Sequence, residues 1–178
     1  MPKFIILDRD GVINEDSDVY VKSAAEWHSL PGSAEAIARL NQQGYRAVVA
    51  TNQSGIGRGL FDTATLNLMH AKMHRVVGLA GGRIDAVFFC PHKNDDHCEC
   101  RKPKPGMYLE IARRFGRDLK GVPAVGDSLR DLVAASAVGC QPILVRTGKG
   151  LRTLAAGGLP PDTLIFDDLA AVAAHYCG

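Results

Sequence analysis

The chain has 178 residues, enough for one domain with a sizeable core. At 46% hydrophobic and 22% charged residues, its composition is that of an ordinary globular protein. Its 21 basic and 19 acidic residues leave a formal charge of +2, too small to argue for a nucleic-acid or membrane partner, and no apolar run reaches the length of a membrane span.

The N-terminal "MPKFIILD" has one lysine and a short apolar run that ends in an acid, which is not the pattern of a signal peptide. A cytoplasmic location with reduced thiols is therefore expected. "KFIIL", Lys3–Leu7, is a continuous apolar run suited to a strand buried on both faces. Ser33 is placed to cap a helix through "SAEAIARLNQQG", which stops at Gly44. "YRAVVA", Tyr45–Ala50, is a second buried strand. Asp62 caps a longer helix along which Leu66, Met69, Met73, Val76 and Val77 recur at helical spacing. His70 and His74, one turn apart on it, read as a solvated face rather than a metal pair. "IDAVFF", Ile84–Phe89, is a third strand, and Pro105 to Gly116 a helix. "VPAVG" leads into the helix "DSLRDLVAASAVG"; "PILVRT" and "TLIF" are late strands, and "DDLAAVAAHY" is the last helix. "GKGLRTLAAGGLPPD" reads as a surface loop with one helical turn.

Strand–helix alternation implies an α/β domain, doubly wound around a mostly parallel sheet, over residues 1–178, with no linker and no separate cap domain. The chain is expected to act as a monomer. Ligands of such sheets sit beyond the carboxyl ends of the strands. There the sequence has "DRDG", "TNQSG", a cysteine loop and "GDSLRD" in turn. Asp8, Asp10 and Asp127 converge with too few cations, so a hard cation, Mg²⁺, is expected among them. Asp131, in the first turn of the next helix, either caps it or joins the metal. Thr51 offers a hydroxyl, Asn52 an amide, and the small residues after them open backbone N–H groups to an oxyanion. Lys102 adds a fixed positive charge. These are the parts of a phosphate site around Asp8.

The loop "CPHKNDDHCECRKPKPG" sets Cys90 and His92 against Cys98 and Cys100, which is the spacing of a closed, structural zinc site. His97 is a spare donor, and Cys140 and Cys177 read as inert. The zinc-bound loop aims Arg101 and Lys102 at the phosphate edge.

In order, "DRDGVIN", "TNQSG", "RKPKPG" and "GDSLRD" resemble the four motifs of the haloacid dehalogenase superfamily of phosphohydrolases. With "CPH…CxCRKPKPG" and "VRTGKG" they are similar to its heptose 1,7-bisphosphate phosphatase branch, the histidinol-phosphate phosphatases being the nearest alternative. The resemblance implies a Rossmann-like fold and a Mg²⁺-dependent sugar-phosphate phosphatase that removes a 7-phosphate during heptose precursor synthesis for surface polysaccharide. It implies Asp8 as nucleophile and Asp10 as proton donor and base. It implies Mg²⁺ held by Asp8, the Asp10 carbonyl and Asp127, with Thr51 and Lys102 on the phosphoryl oxygens. The flap "EDSDVYVKS" brings Asp16, Asp18 and Tyr20 towards sugar hydroxyls. Asn52, Gln53, Ser54, Arg58, Arg101 and Ser128 complete the expected substrate contacts, with Arg58 and Arg101 as candidates for a second phosphate. Ser128 stands where some heptose phosphatases have a lysine.

Two other classes fit less of the sequence. A phospho-receiver domain would carry its phosphorylated aspartate after a middle strand, not in "DxD" after the first. A zinc-centred nucleic-acid binder would leave "DRDG" and "GDSLRD" unused.

Overall fold

The structure, a computed structural model, describes all 178 residues. Six strands form one parallel sheet: β1 (Lys3–Leu7), β2 (Tyr45–Asn52), β3 (Ile84–Cys90), β4 (Pro123–Gly126), β5 (Gln141–Val145) and β6 (Leu164–Phe166). Their order is β3-β2-β1-β4-β5-β6, so the chain winds outward from β1 in both directions. The switch between β1 and β4 opens the crevice in which such folds hold ligands.

Burial on both faces explains why these strands are apolar throughout. Ile5 and Leu7 of β1, with Ala47 and Val49 of β2, join one core. Phe4 and Ile6, with Val48 and Ala50, join the other. The period-2 alternation of a strand does this sorting. Helices α1 (Ser33–Gln42), α3 (Thr63–Leu79) and α7 (Leu169–Cys177) close the first core through Ile37, Leu40, Leu66, Met69, Met73 and Val172. On the other face α4 (Gly106–Phe115) and α5 (Leu129–Ala137) pack through Tyr108, Ile111, Ala134 and Ala135. Short helices α2 (Ser54–Gly57) and α6 (Gly150–Ala156) follow β2 and β5. No helix is long and apolar enough to cross a membrane.

Most expected elements stand within a few residues of where the sequence puts them, and Asp62 caps α3 by accepting from Thr65 N–H at 2.8 Å. Three readings are corrected. Ser33 is not the cap of α1: Gly32 holds that position, and the Ser33 hydroxyl donates instead to the Val12 carbonyl at 2.8 Å. The segment after β5 is no loose loop, because α6 spans seven residues and anchors through buried Thr153. His70 is not solvated; it is 8% exposed, whereas His74 is exposed.

The flap between β1 and α1 is rooted rather than free. Val12, Ile13, Val21 and Trp27 are buried in the first core. Lys72 of α3 donates to the carbonyls of Ala24 and Trp27 at 2.8 and 2.6 Å. Trp27→Ala is therefore expected to cost about 3–5 kcal/mol in urea unfolding, as for other large buried aromatics. Trp27→Phe is expected to cost less, because the buried Trp27 Nε1 has no acceptor to lose. A Trp27→Ala loss below about 1 kcal/mol would mean that the flap is not anchored there.

Candidate active site

Asp8 follows β1 directly, and its N–H donates to Val125 of β4 at 2.9 Å. Asp127 follows β4. Parallel pairing of β1 with β4 thus brings the two acids together across the crevice. Asp131 rises from the first turn of α5. Carboxylate oxygens of Asp8, Asp127 and Asp131 lie within 4.8 Å of one another. Close backbone is needed here: a Cβ on Gly11 would fall 2.0 Å from Asp127 Oδ2, and Gly11 has φ +83°.

One buried cation faces these acids. Lys102, 1% exposed, has Nζ 2.7 Å from Asp131 Oδ1, 3.1 Å from Asp8 Oδ1, and donates to the Ala50 carbonyl at 2.8 Å. The Asp131 contact is a charge contact outside hydrogen-bond geometry, which leaves Oδ1 without a directional donor. Asn52 holds the Lys102 backbone from both sides, donating to its carbonyl and accepting from its N–H, each at 3.0 Å.

The charges do not balance. Burial, then the Asp131 charge, push the Asp8 carboxyl up to about 7 against the pull of Lys102. Burial, Asp131 and Asp8 push Asp127 up to about 8. Burial also opposes the Asp131 charge, but Lys102 holds that carboxyl below the usual range. For Lys102 burial favours the neutral form, and Asp131 and Asp8 outweigh it, so the ammonium persists. Three carboxylates with one ammonium leave a donor set that fits a small hard cation. Oδ2 of Asp8 accepts no protein hydrogen bond, whereas Oδ1 takes the Arg9 N–H at 2.8 Å and the Lys102 contact.

Asp10 sits in a different field. Asn14 donates to its Oδ1 at 2.8 Å, Gln53 to its Oδ2 at 3.2 Å, and Arg9 pairs with Oδ1 at 2.9 Å. Burial resists ionisation, yet the Arg9 charge and these hydrogen bonds hold Asp10 below the ordinary carboxylate range. The sequence reading missed Arg9, which is fully buried. The signal was available: with Asp8 and Asp10 on one side of an extended chain, the residue between them points into the core.

The cleft is lined by Asp8, Asp10, Asp127, Asp131 and Lys102 at its floor. Asp16, Asp18, Tyr20, Asn52, Ser54, Arg58 and Arg101 lie around them, as expected from the sequence. Ser17, Arg130 and Lys149 line it too and were missed. Lys149 donates its N–H to Asp127 Oδ2 at 2.8 Å and pairs with Asp16 at 3.4 Å. Asp18 pairs with Arg152 at 3.3 Å at the rim, and Arg58 stacks 5.8 Å from the Tyr20 ring. Arg101 is held by Asn94 at 2.6 Å rather than by an acid of its loop. Thr51 and Ser128 are not among the lining residues. Thr51 is 1% exposed and accepts from Gln53 at 2.9 Å, while the Ser128 hydroxyl donates to Asp131 Oδ2 at 3.0 Å. Gln53 lines the cleft, but its amide is engaged by Asp10, Thr51 and Arg9.

The cysteine loop folds back on itself beside the cleft. Ligand atoms of Cys90, His92, Cys98 and Cys100 lie within 4.8 Å of one another. The His92 Nδ1 is 3.4 Å from Cys90 Sγ and 3.3 Å from Cys100 Sγ, and Cys90 and Cys98 are 3.7 Å apart. Bonds of about 2.3 Å from a tetrahedral zinc to sulfur put ligand atoms about 3.8 Å apart; the Cys90–Cys98 pair matches that spacing and the Cys90–Cys100 pair, at 2.9 Å, is tighter, so the four residues suit that ion with a small outward shift of one thiol. His97 is outside it, on an exposed turn with φ 50°.

A family model described as HAD-hydrolase-like matches residues 99–172, and one for the polynucleotide kinase 3 phosphatase matches residues 3–129. The chain is 65% identical to the D-glycero-beta-D-manno-heptose-1,7-bisphosphate 7-phosphatase of Bordetella bronchiseptica over 171 residues, 96% of each chain. It is 59% identical to the Pseudomonas aeruginosa protein of that name, over 95% of this chain and 94% of that one. Among solved structures, D,D-heptose 1,7-bisphosphate phosphatase from B. bronchiseptica, complexed with magnesium and phosphate, superposes with a TM-score of 0.97 at 64% identity, over 98% of this chain and 97% of that one. The corresponding enzyme from Burkholderia thailandensis gives 0.79 at 57% identity, with the same coverage.

Asp131 carries two loads, the Lys102 charge and the start of α5. Its Oδ2 accepts from the N–H groups of Asp127 and Ser128 at 3.2 and 3.1 Å. Asp131→Ala is expected to lower folding stability by about 3–5 kcal/mol, the usual cost of stranding a buried ion partner. A urea midpoint unchanged from the wild type would contradict that role.

Proposed function

The chain belongs to the D-glycero-beta-D-manno-heptose-1,7-bisphosphate 7-phosphatase family of HAD-like hydrolases, and from that premise we propose that it hydrolyses the 7-phosphate of this heptose bisphosphate. It is a phosphoric monoester hydrolase. The observation that carries the reading to residues is the meeting of Asp8, Asp10, Asp127 and Lys102 in one cleft.

Asp8 is the proposed nucleophile, and its Oδ2 is free of protein donors. It attacks phosphorus; an O–P bond forms to Asp8 as the bond to the C7 oxygen breaks. Asp10 gives a proton to the departing alkoxide, then takes one from the water that attacks the aspartyl-phosphate. Asp10 is held ionised in the free protein, so it suits the second role as it stands. For the first it must acquire a proton as the phosphate dianion enters beside it. Lys102 and backbone N–H groups after β2 stabilise charge on the phosphoryl oxygens. Asp8, Asp127 and the Asp10 carbonyl would hold Mg²⁺, which supplies charge neutralisation between two anions that otherwise repel. Thr51 is proposed to contact the phosphoryl group once Gln53 releases its hydroxyl. Cys90, His92, Cys98 and Cys100 are proposed to bind a structural zinc that fixes the approach to Lys102.

The second phosphate finds its partners at the rim. Burial, then the charges of Arg130 and Arg58, hold Arg101 below the usual guanidinium range. Three like charges this close are eased by a bound anion, and Arg forks match phosphate. Acidic Asp16 and Asp18, nearby on the flap, disfavour a polyanionic nucleic-acid strand and suit sugar hydroxyls. The beta configuration comes from the relatives, not from these residues.

Asp8→Asn is expected to lose roughly 10³-fold or more in kcat with little change in unfolding midpoint. Appreciable turnover would exclude Asp8 as nucleophile. In kcat/KM, the heptose bisphosphate is expected to exceed histidinol phosphate and a 3′-phosphorylated oligonucleotide, with inorganic phosphate released from C7. Arg101→Ala is expected to cost more on the bisphosphate than on a monophosphate; preference for histidinol phosphate would overturn the assignment. Elemental analysis is expected to find zinc in equal amount to the chain. Cys98→Ser is expected to lose it together with thermal stability. A zinc-free protein of full activity would refute the structural metal.

A further inference from the structure

Arg9 is a fully buried arginine, and each of its three guanidinium nitrogens has a hydrogen-bond partner. Nε donates to Asp10 Oδ1 at 3.0 Å, and Nη2 meets the same oxygen at 2.9 Å and Gln53 Oε1 at 3.3 Å. Nη1 reaches His70 Nε2 at 3.3 Å and the Met69 sulfur at 3.8 Å. A guanidinium always donates, so His70 Nε2 must be the unprotonated acceptor, which puts the ring proton on Nδ1. Burial first, then the Arg9 charge, push the His70 imidazole down to about 4, consistent with that neutral form.

The consequence appears at Asp10. Its Oδ1 accepts from Arg9 Nε and Asn14 Nδ2, which fills the two lone pairs of one carboxylate oxygen, and the Arg9 Nη2 charge lies 2.9 Å from it. Its Oδ2 receives only Gln53, at 3.2 Å. The oxygen with acceptor capacity left is Oδ2, and the proton exchanged with substrate is carried there. Which oxygen is saturated depends on the orientation of the guanidinium, and His70 Nε2 engages its Nη1 at 3.3 Å, away from the Nε that donates to Asp10.

We propose that His70 is a positioning residue for this reaction, acting through Arg9 to lock the Asp10 carboxylate with Oδ2 presented to the leaving group. His70 lies 61 residues from Arg9 in sequence, on the buried stripe of α3, and it touches no substrate-facing group itself. The inference rests on Asp10 being the proton donor of the proposed function.

A leaving-group comparison separates positioning from plain stability. The value of kcat/KM reports the first transfer, in which an alkyl phosphate needs a proton on its departing oxygen and p-nitrophenyl phosphate does not. His70→Leu removes the acceptor. It is expected to lose about tenfold or more on a sugar phosphate and no more than about threefold on p-nitrophenyl phosphate, with KM nearly unchanged. His70→Gln, whose amide oxygen can stand in for Nε2, is expected to restore most of the sugar-phosphate activity. Equal losses on both substrates, or no rescue by glutamine, would overturn the proposal. Asp10→Asn is the control. If it too fails to discriminate between the substrates, the reading of Asp10 is wrong; if it discriminates and His70→Leu does not, only the role of His70 falls. Should His70→Leu not fold, nitrogen NMR of the ¹⁵N-labelled wild type still decides. The Nδ1–H tautomer is expected for His70, and an Nε2–H tautomer would overturn the lock.

Discussion

The Lys102 ammonium, buried among the carboxylates of Asp8 and Asp131, is the interaction on which the site depends. A lone buried ammonium would be expelled or neutralised, and carboxylates this close would take up protons. Lys102 and Asp131 hold each other in charged form, while Asp8 is pushed up to about 7 beside them, at a cost in desolvation that only close delivery of the three groups offsets. Delivery comes from three directions. Adjacent parallel strands β1 and β4 bring Asp8 and the start of α5 side by side. The Asn52 clamp and the Ala50 carbonyl, both from β2, hold Lys102 in place. The loop that carries Lys102 is gathered by the four-ligand cluster just ahead of it. The fold is therefore a means of placing one positive charge against an excess of negative ones, and the remaining imbalance is what a divalent cation would offset, so that a phosphate dianion can approach.

Two acids two residues apart are set to opposite tasks by their surroundings. Burial and then the Asp131 charge push Asp8 up, while Arg9, Asn14 and Gln53 pull Asp10 down against its burial. Both are half-buried in one cleft, so burial alone does not separate them. The difference lies in the neighbours: Asp8 shares its one cation, Lys102, with Asp131, whereas Asp10 has the Arg9 charge and the amides of Asn14 and Gln53.

Much of this was legible in the sequence. Continuous apolar runs gave the strands, and the residues after them gave Asp8, Asp10, Asp127 and Lys102. The spacing of Cys90, His92, Cys98 and Cys100 singled out four residues that the structure gathers, while the choice between His92 and His97 was open in the sequence and only the fold sets His97 apart. What escaped depended on side-chain direction. Arg9 was hidden by its acidic neighbours, although alternation turns it inwards. His70 was taken for surface by its polarity, yet it lies on the stripe of Leu66, Met69, Met73 and Val77. Arg130 and Lys149 join the cleft from the starts of α5 and α6, and nothing local to those residues announces it. The hydroxyl of Ser33 was matched to the right region but the wrong partner, because a short polar side chain has several backbone groups in reach.

Magnesium titration of the metal-stripped protein tests the central claim most directly. If Asp8 and Asp127 form an under-neutralised pair, calorimetry will show saturable Mg²⁺ binding to the wild type. Replacing Asp127 with asparagine, which keeps shape and removes charge, will abolish or greatly weaken that binding. Wild-type protein that binds no Mg²⁺, or an Asp127→Asn variant that binds it as tightly, would contradict the account.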